Sequence, residues 1–396
     1  MRAATSALLA ALLTVFAPPL ARAGQQHGGV TYWQAAGAGG PTELRWTHEA
    51  TSALAEGVDW KLEPELLLRR PRSTGPAALW DNQGRPPVIS LQRAYLGFAR
   101  DEWLVRVGKQ VFDWSQTDTI SPADLVSPRD WSDITRVRKL AAPAVSVRYG
   151  GETSLEAVWL PRQEPSYLPE GDWLPLPSGV SMAPPRRSQQ QQYALRAAGN
   201  WRRTDWSAVL YRGHSTAPAL ELGPGPSLQP IYRPLRAAAI TAAREVADGQ
   251  IARLEIARYR QPDGSFVQYV ASLDKEVDDW LSDGDTLYVI AQYAGGTRRA
   301  GAVDGLGWPD FRRVLERSVM VKASYDPRSD QRSLLEFTAV WNVKDHGRYA
   351  KLAWQRRLAD ALTISLAGEV IDGRPGSFWG RYRANDRAML ELSWRY

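Results

Sequence analysis

The chain has 396 residues, with 49 Lys+Arg against 43 Asp+Glu for a formal net charge of +6, 4 His and 0 Cys. Without cysteine there is no disulfide framework or thiolate site, and no two histidines stand at metal-ligand spacing, so neither a metal nor any other cofactor is expected. The small, unclustered basic excess excludes a nucleic-acid binder, and after the N-terminus no apolar run approaches the roughly 20 residues of a helical membrane span.

The N-terminus reads as a secretory signal. Met1-Arg2 gives a positive start, residues 7–19 supply an apolar core, and Ala21-Arg22-Ala23 is a small-x-small cleavage site. Cleavage after Ala23 is expected to leave one domain, residues 24–396. It removes Arg2 and Arg22, so 47 basic residues face 43 acidic ones and the net charge becomes +4.

From about residue 30 to the end the chain alternates at period two. Residues 30–36 form a short first segment and residues 43–54 a second. Trp60, Leu62, Leu66 and Leu68 then oppose Lys61, Glu63, Glu65 and Arg69, and Tyr193, Leu195, Ala197 and Trp201 oppose Arg196 and Asn200. Leu335, Phe337, Ala339 and Trp341 oppose Glu336, Thr338 and Asn342; Leu362, Ile364, Leu366 and Val370 oppose Thr363, Ser365 and Glu369. At the C-terminus, Ala388, Leu390, Leu392, Trp394 and Tyr396 oppose Met389, Glu391, Ser393 and Arg395. A helix would scatter these sets, whereas a strand places them on two faces.

The links between segments fall into two kinds. Short ones lie near 55–57, 100–101, 150–152, 202–204, 247–249, 281–284, 326–331 and 359–360. Between them come mostly longer ones at 71–87, 112–141, 161–190, 213–233, 296–312 and 373–384. Short turns at one end and long loops at the other are the asymmetry of an all-β, antiparallel transmembrane β-barrel in a bacterial outer membrane. Mean hydropathy of −0.38 fits, because only every second barrel residue meets lipid. Counting parity from the C-terminus requires an ascending strand before residue 43, which predicts about 18 strands, with about 16 as the fallback. Trp60, Trp103, Tyr149, Trp201, Trp206, Trp280, Tyr325 and Trp394 stand beside the short turns or the chain end, as an aromatic girdle requires. Trp394 and the terminal Tyr396 are expected to form the signal read by the barrel assembly machinery.

The most distinctive stretch is Val107-Gly108-Lys109-Gln110-Val111-Phe112-Asp113-Trp114, followed by Asp118, Ile120-Ser121-Pro122-Ala123-Asp124 and Ser127-Pro128-Arg129-Asp130. Over residues 100–150 it resembles a family of uncharacterised proteobacterial outer-membrane barrels, porin-like, in which a Gly-[Arg/Lys]-Gln-x-x-x-Trp strand end leads into an Asn/Ser-Pro-x-Asp loop. Ser115 stands where that family often has Gly. The resemblance implies the fold and assigns no activity.

Counting outer loops from the N-terminus, with the tight link at 37–41 as the first, 112–141 is the third, the one that narrows the lumen of general porins. It carries Asp113, Asp118, Asp124, Asp130 and Asp133 with Arg129, Arg136, Arg138 and Lys139. Arg93, Arg106, Arg148 and Arg196 occupy inward positions near short turns. They are expected to line one wall as a cationic ladder facing the loop's acids, or else to be held in ion pairs with inward acids such as Glu65 and Glu156. His27, His48, His214 and His346 lie in no nucleophile motif, so no enzyme is expected. The reading is a channel for small polar or anionic solutes. An export conduit for an acidic polysaccharide and a non-conducting scaffold are the alternatives, and monomer and trimer both stay open.

Overall fold

The computed structural model describes residues 24–37, 42–70, 84–118, 121–169, 171–174, 176, 179–185, 188–262, 264–297, 315–327, 330 and 332–396. The expected signal peptide, most of links 71–87 and 296–312, and Ile120 lie outside the described residues.

Eighteen strands form one antiparallel sheet. They are β1 (Gln25–Ala36), β2 (Thr42–Ala55), β3 (Val58–Arg70), β4 (Ile89–Arg100), β5 (Trp103–Gln110), β6 (Ala142–Tyr149), β7 (Ser154–Leu160), β8 (Gln192–Trp201) and β9 (Thr204–His214). There follow β10 (Pro234–Ala247), β11 (Gln250–Gln261), β12 (Gly264–Asp278), β13 (Thr286–Gly296), β14 (Ser318–Asp326), β15 (Ser333–Asn342), β16 (Arg348–Ala359), β17 (Leu362–Asp372) and β18 (Arg387–Arg395). Each pairs with the next, and β18 pairs with β1 from Gly29↔Arg395 to Ala36↔Ala388, which closes the barrel. Closure leaves no edge, so every strand can satisfy its backbone groups within a membrane.

The outward face explains the period-two pattern. Leu96, Phe98, Leu195, Leu210, Ile240, Ile256, Leu273, Phe337, Leu352 and Leu366 are exposed large apolar side chains distributed around the barrel. An apolar surface of this extent belongs in lipid. At the short-turn end, Trp103, Tyr149, Trp201, Trp280 and Trp394 are likewise exposed. The ring centroids of Trp103 and Tyr149 lie 4.7 Å apart and those of Trp280 and Tyr325 5.8 Å apart.

Two features depart from the pattern. The first strand spans 12 residues from Gln25, longer than its alternation indicates, because polar and glycine residues over 25–29 carry no hydropathy signal yet still pair with β2 and β18. At the long-loop end, β11 ends at Gln261 and β12 already begins at Gly264, and β15 and β16 are joined by residues 343–347.

The long-loop half of the interior is packed. Phe112, Trp114, Ala123, Leu125 and Val126 of the third loop join inward Ala144, Val158, Val209, Tyr211, Ala257, Tyr259 and Phe266 in one buried cluster. A second gathers Ile134 of the same loop and Trp173 with Met320, Val340, Tyr349 and Ile371 of the wall, and Phe378, Trp379 and Tyr382 of the last loop.

The two faces predict opposite responses to one substitution type. Leu366 is exposed on the lipid side and Ser365 lies on the other face of the same strand. Arginine at the bilayer midplane costs roughly 2–4 kcal/mol on the lipid face of a barrel, whereas lumen positions tolerate charge. Leu366→Arg is therefore expected to lower stability in urea titrations from liposomes far more than Ser365→Arg. Equal losses would invert the assigned faces.

Candidate functional site

The third loop begins with a glycine-dependent strand end. Gly108 has φ +133°, and a Cβ there would come within 2.2 Å of the Ala94 carbonyl oxygen on β4. Only glycine fits that approach. Two residues on, the buried Gln110 amide donates to the carbonyls of Arg106 (3.2 Å) and Ala144 (3.1 Å), while its oxygen accepts from the Ser146 hydroxyl at 2.8 Å. The chain then turns inward, fixed by Phe112 N to Ser127 Oγ at 2.8 Å and Trp114 N to Asp124 Oδ1 at 3.2 Å.

Three buried clusters of charged residues on the wall hold the loop. On β11, Glu255 accepts from the backbone N–H groups of Gln116 (2.6 Å) and Thr117 (2.8 Å) and from the hydroxyls of Thr117 (3.0 Å) and Ser121 (2.5 Å). On β3, Glu65 accepts both guanidinium nitrogens of Arg138 at 2.6 and 2.7 Å, and Arg138 also reaches Asp130 at 3.3 Å. Beside it, Glu43 of β2 pairs with Arg45 at 2.8 Å and with Arg69 at 2.9 Å, and Arg69 donates to Ser132 of the loop at 3.0 Å.

The third foothold is Arg387 at the start of β18. It pairs with Glu369 of β17 and with Asp133 of the loop, both at 2.8 Å, and donates to the Thr135 hydroxyl at 2.6 Å. Tyr349 of β16 donates to Glu369 at 2.9 Å. Burying a carboxylate is costly unless its lone pairs are met by donors, and each of these acids is met.

These anchors account for much of the loop's charge. Asp130, Asp133 and Arg138 belong to the footholds, and Asp124 pairs within the loop with Arg129 at 3.0 Å and with Lys139 at 2.5 Å. Arg136 lies 4.2 Å over the Trp33 ring and 3.8 Å from Glu391. Asp113 and Asp118 are the loop acids with the most open sides. Asp113 pairs with Lys139, and Asp118 with Lys322 of β14 at 2.9 Å.

The four lumen arginines divide into two groups. Arg93 stands apart, 3.5 Å from Glu63. Arg148 and Arg196 lie on either side of Glu156, each its direct cross-strand partner. Arg106 enters from β5, its guanidinium 5.2 Å over the Tyr95 ring, while Arg196 approaches the Trp114 ring at 6.0 Å. Trp114 donates its indole N–H to Glu156 at 3.2 Å. Glu156 thus lies between Arg148 and Arg196, and Arg106 stands one strand further on, opposite Ser146.

Glu255, Glu369 and Arg387 had no place in the sequence reading of the site. A signal for the first was present: Glu255 sits between Leu254 and Ile256 on the inward face of a lipid-exposed strand.

No protein-family model and no curated protein matches the sequence. Among solved structures, the outer membrane protein OpdK of Pseudomonas aeruginosa is similar at 12% identity with TM-score 0.53, over 94% of this chain and 98% of that one. A BenF-like porin of Pseudomonas fluorescens Pf-5 is similar at 11% identity with TM-score 0.52, over 94% and 97% of the two chains. OccK3 (OpdO) of Pseudomonas aeruginosa is similar at 11% identity with TM-score 0.53, over 94% of each. The likeness is one of fold: a closed antiparallel 18-stranded barrel of the bacterial outer-membrane porin type.

Proposed function

We propose that the protein is exported by cleavage after Ala23 and acts as a passive outer-membrane channel for small polar or anionic solutes, without a catalytic step. The observation that carries this reading is the cationic wall of Arg106, Arg148 and Arg196, with one carboxylate between them, beneath a loop that crosses the lumen. A barrel of this strand number encloses more space than wall side chains fill. Low-dielectric walls weaken screening, so an excess of arginine there favours anion entry. One of the similar structures is OpdK with vanillate, a small carboxylate. Lipid contact along the belt and recognition of Trp394 and Tyr396 by the assembly machinery belong to the same reading, as does kinship with the barrel family that residues 107–130 resemble.

Recording in planar bilayers tests it. Replacing Arg93, Arg106, Arg148 and Arg196 together by Gln is expected to move the reversal potential in a salt gradient toward cation preference, with folded yield unchanged. Neutralising Asp113 and Asp118 is expected to move it the other way. Both shifts shrink as ionic strength rises. The three footholds of the loop favour a second reading, a non-conducting scaffold, and a wild-type barrel without conductance steps would replace the channel by it.

A further inference from the structure

On the outward surface at the long-loop end, one cross-strand row runs over five consecutive strands. Trp159 pairs with Tyr193, Tyr193 with Arg212, Arg212 with Arg236 and Arg236 with Arg260. All three arginines are exposed, as is Arg258, the next outward position on β11. Directly beneath them the outward side chains become those of the lipid belt: Leu210 stands two residues before Arg212 and Ile256 two before Arg258, both exposed. The row therefore lies at the level where the membrane core gives way to headgroups.

Like charges directly opposite one another across strands repel. Elsewhere on the same rim that repulsion does not arise, because Arg348 faces Asp372 across the β16–β17 pair and its Nε lies 2.8 Å from the carboxylate. Among the described residues, no carboxylate pairs with Arg212, Arg236, Arg258 or Arg260. The three paired arginines instead line a depression of about 750 Å³, together with Tyr193, Gln190 and Pro262. Neighbouring strands are about 4.8 Å apart, so the guanidinium stems repeat at a spacing suited to more than one phosphate oxygen. Guanidinium groups bind phosphate through paired N–H donors, and clusters of them at a membrane surface attract anionic headgroups.

We propose that the row Arg212–Arg236–Arg260 is a binding site for the phosphorylated sugar headgroup of an outer-leaflet glycolipid. The acyl chains would run down the belt beside Leu210 and Ile256. Trp159 and Tyr193 continue the row with flat rings against which a sugar can stack. Long loops mark the outer side of such barrels, which places this rim in the outer leaflet. The site faces away from the lumen and does not depend on conduction.

The test uses the full chain folded into phosphatidylcholine nanodiscs doped with diphosphoryl lipid A, then extracted into mild detergent and weighed intact by native mass spectrometry. The wild type is expected to retain the lipid. Retention should fall by about tenfold or more in Arg212→Gln/Arg236→Gln/Arg260→Gln, with heat-modifiable migration unchanged, and equally for the wild type with lipid A stripped of both phosphates. The stripped-lipid comparison needs no variant and stands even where the triple substitution impairs folding. Equal retention by the folded triple variant, equal retention of the stripped lipid, or displacement by inorganic phosphate at matched concentration would each overturn the assignment.

Discussion

Replacing Arg387 by Met is expected to destabilise the folded barrel by about 3–5 kcal/mol, the cost of removing one partner from a buried ion pair. The guanidinium is the shared partner of Glu369 and Asp133, and all three side chains are nearly or fully buried. Without it, two carboxylates face each other out of water, and the Thr135 hydroxyl loses its donor. Urea titration from liposomes measures the loss. Adding Glu369→Gln to the same chain removes one of the stranded charges and should recover part of it. A loss under about 1 kcal/mol, the range of exposed pairs, would mean that solvent reaches this foothold.

Deleting Tyr396 is expected to lower the yield of heat-modifiable barrel several-fold. The last residue closes the seam through its backbone, exchanging N–H···O bonds of 3.0 Å with Gly28 in both directions. Its hydroxyl accepts from the Trp46 indole at 2.9 Å and meets His48 Nδ1 at 3.1 Å, so the ring reaches from the end of β18 across β1 to β2 on the outward face. Four such bonds at about 0.5–1.5 kcal/mol each make a contribution on the order of 2–6 kcal/mol. Gly28→Val attacks the same join from the other side. Any Cβ at residue 28 would meet Tyr396 Cζ at 2.7 Å and the Thr47 carbonyl oxygen at 2.8 Å, and a backbone oxygen cannot swing away. Unchanged migration and yield in both variants would show that closure does not depend on this contact.

The wall of the barrel was legible because lipid imposes a rule on every strand. Each outward position within the lipid belt must be apolar, so period two survives even where Pro64 interrupts β3. Parity then supplied the first strand, although residues 25–29 gave it no hydropathic signature. The inward direction of Arg93, Arg106, Arg148 and Arg196 follows from the same alternation. The interior obeys no comparable rule. Which wall residue meets which loop residue depends on the path of the loop across the lumen. The resulting pairs are remote in sequence, 138 residues apart for Thr117 and Glu255 and 234 for Thr135 and Glu369. Asp133 consequently read as a loop charge, and its partner Arg387 emerges only once the strands are arranged in space.

The three footholds of the third loop also set an order of events during folding. They fall on β2 and β3, on β11, and on β17 and β18, so the loop leaves the chain early but cannot be fully secured until the last two strands exist. Contacts of such separation form late, because the entropy of closing long loops comes before any reward. A nascent barrel lacking its final hairpin would hold a half-docked loop, with Asp133 deprived of Arg387. The same C-terminal strands that seal the sheet thus also lock its contents.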